Sequence, residues 1–174
     1  VRGLSYGAPV PTMRSYLEKM AASPYTAVPP SEEPQTVIAA LGPQMLKLAR
    51  DRCAGAHPYF SSPDHTAMAR EILGPDSWLC VEQKVILEPD PAKARALARP
   101  VASIYLGLPN YRNNWLRMGL TEADLENGGS DRFIDSTVAY QSGGRGLERA
   151  AIEAAKAGAA CLRINPGNIG SAGR

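Results

Sequence analysis

The chain has 174 residues, 44% of them hydrophobic and 21% charged, which fits one globular domain, two at most, with a packed core and no long disordered tract. Nineteen lysines and arginines face 17 acids, a formal charge of +2, so charge gives no reason to expect a nucleic-acid or anionic-membrane partner. The 16 glycines and 15 prolines predict many turns and element boundaries.

Met13, Tyr16, Leu17 and Met20 recur at helical spacing, which predicts a helix over Thr12–Ala22. Ser23-Pro24 ends it, and Pro29, Pro30 and Pro34 impose an extended loop. Thr36–Leu41 is a short β-rich apolar run. Gly42-Pro43 closes that run and opens a helix whose apolar stripe is Met45, Leu46, Leu48, Ala49 and Cys53. Gly55 is expected to stop this helix, and Ala56–Phe60 reads as a second short strand or strand end. Ser62 is an N-cap with Pro63 first in the next helix, which runs to Leu73 and stops at Gly74-Pro75.

Trp78–Leu87 is the longest strand candidate. Asp90 caps a helix that begins at Pro91, buries Ala94, Leu97, Ala98, Val101, Ile104 and Tyr105, and ends at Gly107. Pro100 sits inside it and predicts a kink or a shift in hydrogen bonding. Asn110–Met118 reads as a short helix, and Thr121-Glu122-Ala123-Asp124 as a capping box with Asp in its last position. A further helix is predicted from Gly128-Gly129-Ser130 through Tyr140. Gln141–Gly146 is a glycine-rich joint, Leu147–Ala157 an alanine-rich helix with Gly158 after it, and Cys161–Ile164 a last strand. Strands alternating with helices in this order predict a parallel α/β architecture. Neither a dinucleotide fingerprint nor a P-loop is present.

Three cysteines, Cys53, Cys80 and Cys161, lie far apart and form no metal-ligand spacing with His57 or His65. They read as buried reduced thiols, and no metal is expected. No apolar run approaches the roughly 18 residues needed to cross a bilayer, and no leader is visible, so a cytoplasmic protein is expected. Val1 in place of Met suggests a fragment or a processed product.

In parallel α/β folds, function gathers at the C-terminal ends of strands. Three such places are readable. At Gly42-Pro43-Gln44 the backbone is accessible and a helix N-terminus follows, which suits an anion; an ordinary strand–helix turn has the same sequence. His57, with Tyr59 beside it, ends the second strand and can meet a ring or a phosphate, although a lone histidine next to proline is more often packed. Asn165-Pro166-Gly167-Asn168 is a polar turn able to hold phosphate, or simply a loop. His65 reads as a surface residue. Glu82 and Lys84 share a strand face and read as a solvated pair rather than a buried one. Arg112, Trp115 and Arg117 read as a ligand cover or a surface contact.

The stretch from about Tyr6 to Tyr140 resembles the luciferase-like monooxygenase superfamily, in its branch of oxidoreductases that use the deazaflavin coenzyme F-420. Tyr16-Leu17-Glu18, Val37 to Ala49, Ala54 to Phe60, Ala67 to Pro75 and Ala102 to Asn114 carry the resemblance. It implies the C-terminal half of a TIM (β/α)₈ barrel with parallel strands and a helical insert before the last strand. It also implies F-420 or FMN at the barrel mouth, a small-molecule substrate, and hydride transfer or flavin-mediated oxygenation. By resemblance, Gly42, Pro43 and Gln44 contact the coenzyme and His57 lines its pocket; no catalytic residue is carried over. Pro100 departs from the smooth helix of the family. The segment Ala154 to Gly170, with Arg163-Ile164-Asn165-Pro166-Gly167-Asn168-Ile169-Gly170, resembles hydroxymethylbutenyl diphosphate synthase of isoprenoid synthesis. That likeness implies diphosphate contacts for Asn165 and Asn168, without the cysteine ligands of that family's cluster domain. The chain thus divides into a partial barrel over 1–140, a joint over 141–146 and a helix–strand unit over 147–174. A non-catalytic half-barrel or chimera is a further reading. Half a barrel leaves strand edges unpaired, so self-association is expected.

Overall fold

The structure is a computed structural model that describes residues 7–140, 151–152, 154–159 and 161–166, with only the backbone of 161–166 described. The order is α1 (Pro9–Ala22), β1 (Val37–Ala39), α2 (Pro43–Arg52), β2 (Gly55–His57), α3 (Pro63–Leu73), β3 (Trp78–Ile86), α4 (Pro91–Leu106), α5 (Pro109–Arg117), α6 (Asp131–Thr137), β4 (Val138–Tyr140) and β5 (Cys161–Pro166). Proline opens each helix from α1 to α5 within its first two positions, where its missing N–H costs nothing. Ser62 accepts from the His65 amide, and Asp90 from the amides of Ala92 and Lys93. The helix predicted through Tyr140 ends at Thr137, and its last three residues are β4.

Every strand pairing among the described residues is parallel. β1 pairs with β2 and β2 with the start of β3; β3 then pairs with β5 over Cys80–Val85 and with β4 over Lys84–Ile86. Gly55 does not stop α2. It is the first residue of β2, and a Cβ there would lie 2.0 Å from the Trp78 carbonyl oxygen. Only glycine lets β2 come so close to β3. α4 continues through Pro100 as one 16-residue helix.

Successive β3 side chains alternate between two cores. Leu79 and Val81 join Ile38, Leu46, Leu48, Ala49, Ala69 and Leu73. On the other side Ile86 packs against Phe60, Ala98, Ala102, Trp115, Phe133 and Val138. This second core is aromatic: Trp115 meets Phe133 edge-on at 4.7 Å and Phe60 at 5.4 Å between ring centroids. Such pairs each contribute roughly 0.5–1.5 kcal/mol beyond area burial.

Two devices lock the periphery. Arg95 binds Asp135 through two bonds of 2.8 and 2.7 Å and Asp131 at 3.0 Å, joining α4 to α6. Arg70 donates to the carbonyls of Gly74 (2.6 Å), Ser77 (2.9 Å) and Gly158 (2.8 Å), which seats the turn before β5 on α3. The joint over 141–146 lies outside the described residues.

Candidate functional site

The site is built on the segment that leaves β2. Pro58 accepts from the Glu82 amide at 3.2 Å, continuing the strand pairing. Phe60 then turns into the left-handed region at φ 51°, a conformation that costs a bulky residue roughly 1–3 kcal/mol. Two buried side chains hold it there. The Phe60 N–H donates to Glu82 Oε2 at 3.1 Å, and its carbonyl accepts from the Trp115 indole at 3.3 Å.

Glu82 and Lys84 form a buried pair, not a solvated one. Their side chains are 0% and 7% exposed, with Nζ 3.4 Å from Glu82 Oε1. Lys84 also donates to the Tyr59 hydroxyl at 3.0 Å, and Tyr105 donates to the same oxygen at 3.2 Å. The ammonium lies 4.4, 4.9 and 5.6 Å from the ring centroids of Tyr59, Phe60 and Tyr105. Strand alternation alone could not reveal this, because the covering rings come from another loop and from α4. Burial, with Tyr59 beside it, pushes the Tyr105 phenol up. Burial pushes the neighbouring Tyr111 up to about 12. Both therefore remain protonated donors around neutrality.

His57 is half-buried, with Nδ1 2.6 Å from the Cys80 carbonyl. A carbonyl only accepts, so Nδ1 carries the hydrogen and Nε2 of the neutral ring is an acceptor. His65 is not at the surface. It is fully buried, and Nε2 bonds the Leu41 carbonyl at 2.8 Å. Burial lowers its pKa, the Leu41 bond opposes that shift, and Arg117 adds to it. The bond also ties the turn after β1 to the first turn of α3.

Gly42 caps α2 with extended backbone (φ −80°), and a Cβ there would meet nothing within 4 Å. Glycine is therefore not needed for the turn itself, and the space above it is open. Because β1 and β2 pair Ala39 with His57, the Gly42 turn and His57 stand at neighbouring strand ends. Gln44 instead lines a groove of about 330 Å³ with Val10, Arg14, Lys47, Asp51 and Arg52. Asn165 lies in β5 with its backbone paired to Lys84. Asn168 lies outside the described residues.

Trp115 is buried as the plug of the aromatic core, and Arg112 pairs with Glu122. Sequence reasoning missed Ser61 and Asn114. Both are 1% exposed, and Ser61 Oγ, both amide atoms of Asn114 and His65 Nδ1 have no hydrogen-bond partner among the described residues. Their polar character gave no signal, since Ser61 only precedes the Ser62 cap and Asn114 falls inside the helix read over Asn110–Met118. Cys53 and Cys80 are half-buried rather than buried.

No family model matches the chain. Among curated proteins it is similar, over short stretches, to 4-hydroxy-3-methylbut-2-en-1-yl diphosphate synthase (flavodoxin). It is 92% identical to the Acidiphilium cryptum protein over 26 residues, 15% of this chain and 7% of that one. It is 96% identical to the Gluconobacter oxydans protein over 24 residues, 14% of this chain and 6% of that one. Among solved structures it is similar to an F420-dependent secondary alcohol dehydrogenase in complex with an F420-acetone adduct. The TM-score is 0.67 at 13% identity, over 96% of this chain. Apo-MsnO8 gives a TM-score of 0.52 at 14% identity, over 94% of this chain. The chain spans 59% and 56% of the lengths of these two structures. At such identities the likeness is one of fold. It bears out the α/β class, with the parallel strands seen directly in the sheet. Among the described residues, no helix is long and apolar enough to cross a membrane.

Proposed function

We propose that the chain is part of an F-420-dependent, luciferase-like oxidoreductase, with FMN as the alternative coenzyme. The observation that carries this reading is the fold likeness, over nearly the whole chain, to a dehydrogenase that uses F420. The residues at the strand ends fit such a group. The open space at Gly42 admits a phosphate to the start of α2, where the Gln44 amide has no helical partner before it. His57 Nε2 would accept a hydrogen bond from a ring N–H or a hydroxyl. When bound, a deazaflavin supplies hydride-transfer chemistry. This chain's residues would anchor it and, through Tyr59, Phe60 and Tyr105, keep water from one side of the pocket.

Titration of the purified chain with F-420 and, separately, FMN, followed by ligand fluorescence, tests the reading. Saturable binding of one of them is expected, weakened by Gly42→Asp, which sets a carboxylate where the phosphate would lie. No saturable binding of either at high micromolar concentration removes the reading.

A second reading rests on the near-identity over 26 residues to the diphosphate synthase. In it the tail derives from such an enzyme, and Asn165 and Asn168 meet a diphosphate. Calorimetric titration with pyrophosphate, with and without Asn165→Ala and Asn168→Ala, decides it; heat unchanged by both substitutions removes it.

A further inference from the structure

The stretch between α1 and β1 is an arm tied down only at its ends. Ser23 Oγ donates to the Lys19 carbonyl at 2.7 Å, and the Thr36 carbonyl accepts from the Ala54 amide at 2.8 Å. Between these anchors every residue from 24 to 35 is exposed. Among the described residues, the one hydrogen bond of that stretch is its own, from Gln35 Nε2 to the Glu33 carbonyl at 3.3 Å. Pro24, Pro29, Pro30 and Pro34 fix φ along it and favour an extended, stiff backbone. The arm presents Tyr25 at 70% and Val28 at 89% exposure. It also presents Glu32 and Glu33, neither of which forms an ion pair among the described residues. A segment already stiff loses little conformational freedom when it docks.

The groove between α1 and α2 has the complementary character. Val10 and Leu48 give it apolar surface, and Arg14, Lys47 and Arg52 give it charge. None of these three cations makes an ion pair or a side-chain hydrogen bond among the described residues, whereas the groove's carboxylate, Asp51, is bonded by Arg50 at 2.8 Å. Lys47 and Arg52 stand about 7.5 Å apart along α2, and Arg14 stands on the other wall, α1. Consecutive side chains of an extended segment point to different sides, so neighbouring acids address both walls at once. Within one chain these acids and cations do not meet. We infer that the arm over 24–35 of one copy lies in the α1–α2 groove of a second copy of this chain, with Glu32 and Glu33 meeting Arg14, Lys47 and Arg52. Exchange of the two arms closes a two-fold dimer that satisfies both surfaces of both copies. The ion pairs are exposed and each contributes little, so the dimer is weak and salt-sensitive. It uses no strand edge and does not depend on the coenzyme reading.

Sedimentation analysis of the full chain tests this. At about 50 μM in low salt the parent should be largely dimeric. Its dissociation constant should rise at least about tenfold between about 0.05 and 0.5 M NaCl. Glu32→Lys/Glu33→Lys and, separately, Lys47→Glu/Arg52→Glu should each be monomeric. An equimolar mixture of the two should dimerise again, because each arm then faces a groove of opposite charge. All four positions are exposed, and circular dichroism spectra matching the parent's check that each variant folds. If a reversal variant does not fold, Glu32→Gln/Glu33→Gln decides, since its self-association should lose the salt dependence. A monomeric parent overturns the inference, as does a mixture that stays monomeric. A parent dimer weakened by neither reversal places the contact elsewhere, for instance at a strand edge, and overturns it too. A monomeric parent that binds a hexaglutamate peptide would assign the groove to a foreign acidic segment instead of a second copy.

Discussion

Replacing Lys84 by Met tests whether the buried pair is a matched unit. The substitution keeps an unbranched side chain, one atom shorter, and removes its charge. Glu82 then keeps the Phe60 amide at 3.1 Å but loses its cation at 3.4 Å, in a place where its side chain is 0% exposed. A buried charge stranded in this way costs about 3–5 kcal/mol, and the lost bond to Tyr59 adds roughly 1 kcal/mol. Against a total stability of about 5–15 kcal/mol, the single variant should be close to unfolded. Glu82→Gln/Lys84→Met should instead stay within about 1–2 kcal/mol of the parent. The carboxamide oxygen that replaces the Glu82 carboxylate can still accept from the Phe60 amide, and the thioether suits a cage of aromatic rings. Urea unfolding followed by tryptophan fluorescence measures both, since Trp115 is 1% exposed and reports on this core. The reasoning fails if Lys84→Met costs less than about 1 kcal/mol, or if the double variant is destabilised by the sum of the two single ones.

Gly55→Ala should destabilise by at least about 1–3 kcal/mol, because its Cβ would meet backbone, the Trp78 carbonyl at 2.0 Å, which cannot swing aside; an unchanged urea midpoint would show that β2 and β3 are further apart. His65 has its folded pKa lowered by burial, so the unfolded chain binds the proton more readily. Its contribution is complete above the unfolded value of about 6.5 and is lost as pH falls from there through the folded value. Melting temperatures between pH 7.5 and 5 should fall more steeply for the parent than for His65→Gln, and parallel curves would contradict this. Asp90→Ala removes the cap on the amides of Ala92 and Lys93 and should cost about 1 kcal/mol. Circular dichroism during urea unfolding reads that loss, and a midpoint equal to the parent's would remove the cap's role.

Local chemistry was legible where the rule needs only neighbours in sequence. Ser62-Pro63 and Asp90-Pro91 open helices as read, and Thr121 and Asp124 close a reciprocal box, with the Thr121 amide 2.9 Å from Asp124 Oδ2 and the Asp124 amide 3.3 Å from Thr121 Oγ1. What failed needed knowledge of a distant partner. Gly55 looks like a helix stop until Trp78 is placed against it. Val138–Tyr140 continues the period of α6, and only the pairing with Lys84–Ile86 makes it a strand. His65 carries a polar ring at a first-turn position, yet Leu41, 24 residues earlier, supplies the acceptor that keeps it inside.

β3 is where these long-range facts converge, and it explains why the site centres on Glu82 and Lys84. Along nine residues it meets β2, β5 and β4 in turn. Leu79 and Val81 serve the core under α2 and α3. Glu82, Lys84 and Ile86 meet the aromatic core. A strand buried on both faces is normally apolar throughout, so two full charges at consecutive positions of one face conflict with the local pattern. Such conflicts persist where a site needs them. Here the conflict is resolved by the pairing of the two charges and by the loop after β2, whose Phe60 amide and Tyr59 hydroxyl bond one charge each. The loop is strained to reach them. The charges and the strained turn are therefore one device, and neither has a reason to be there without the other.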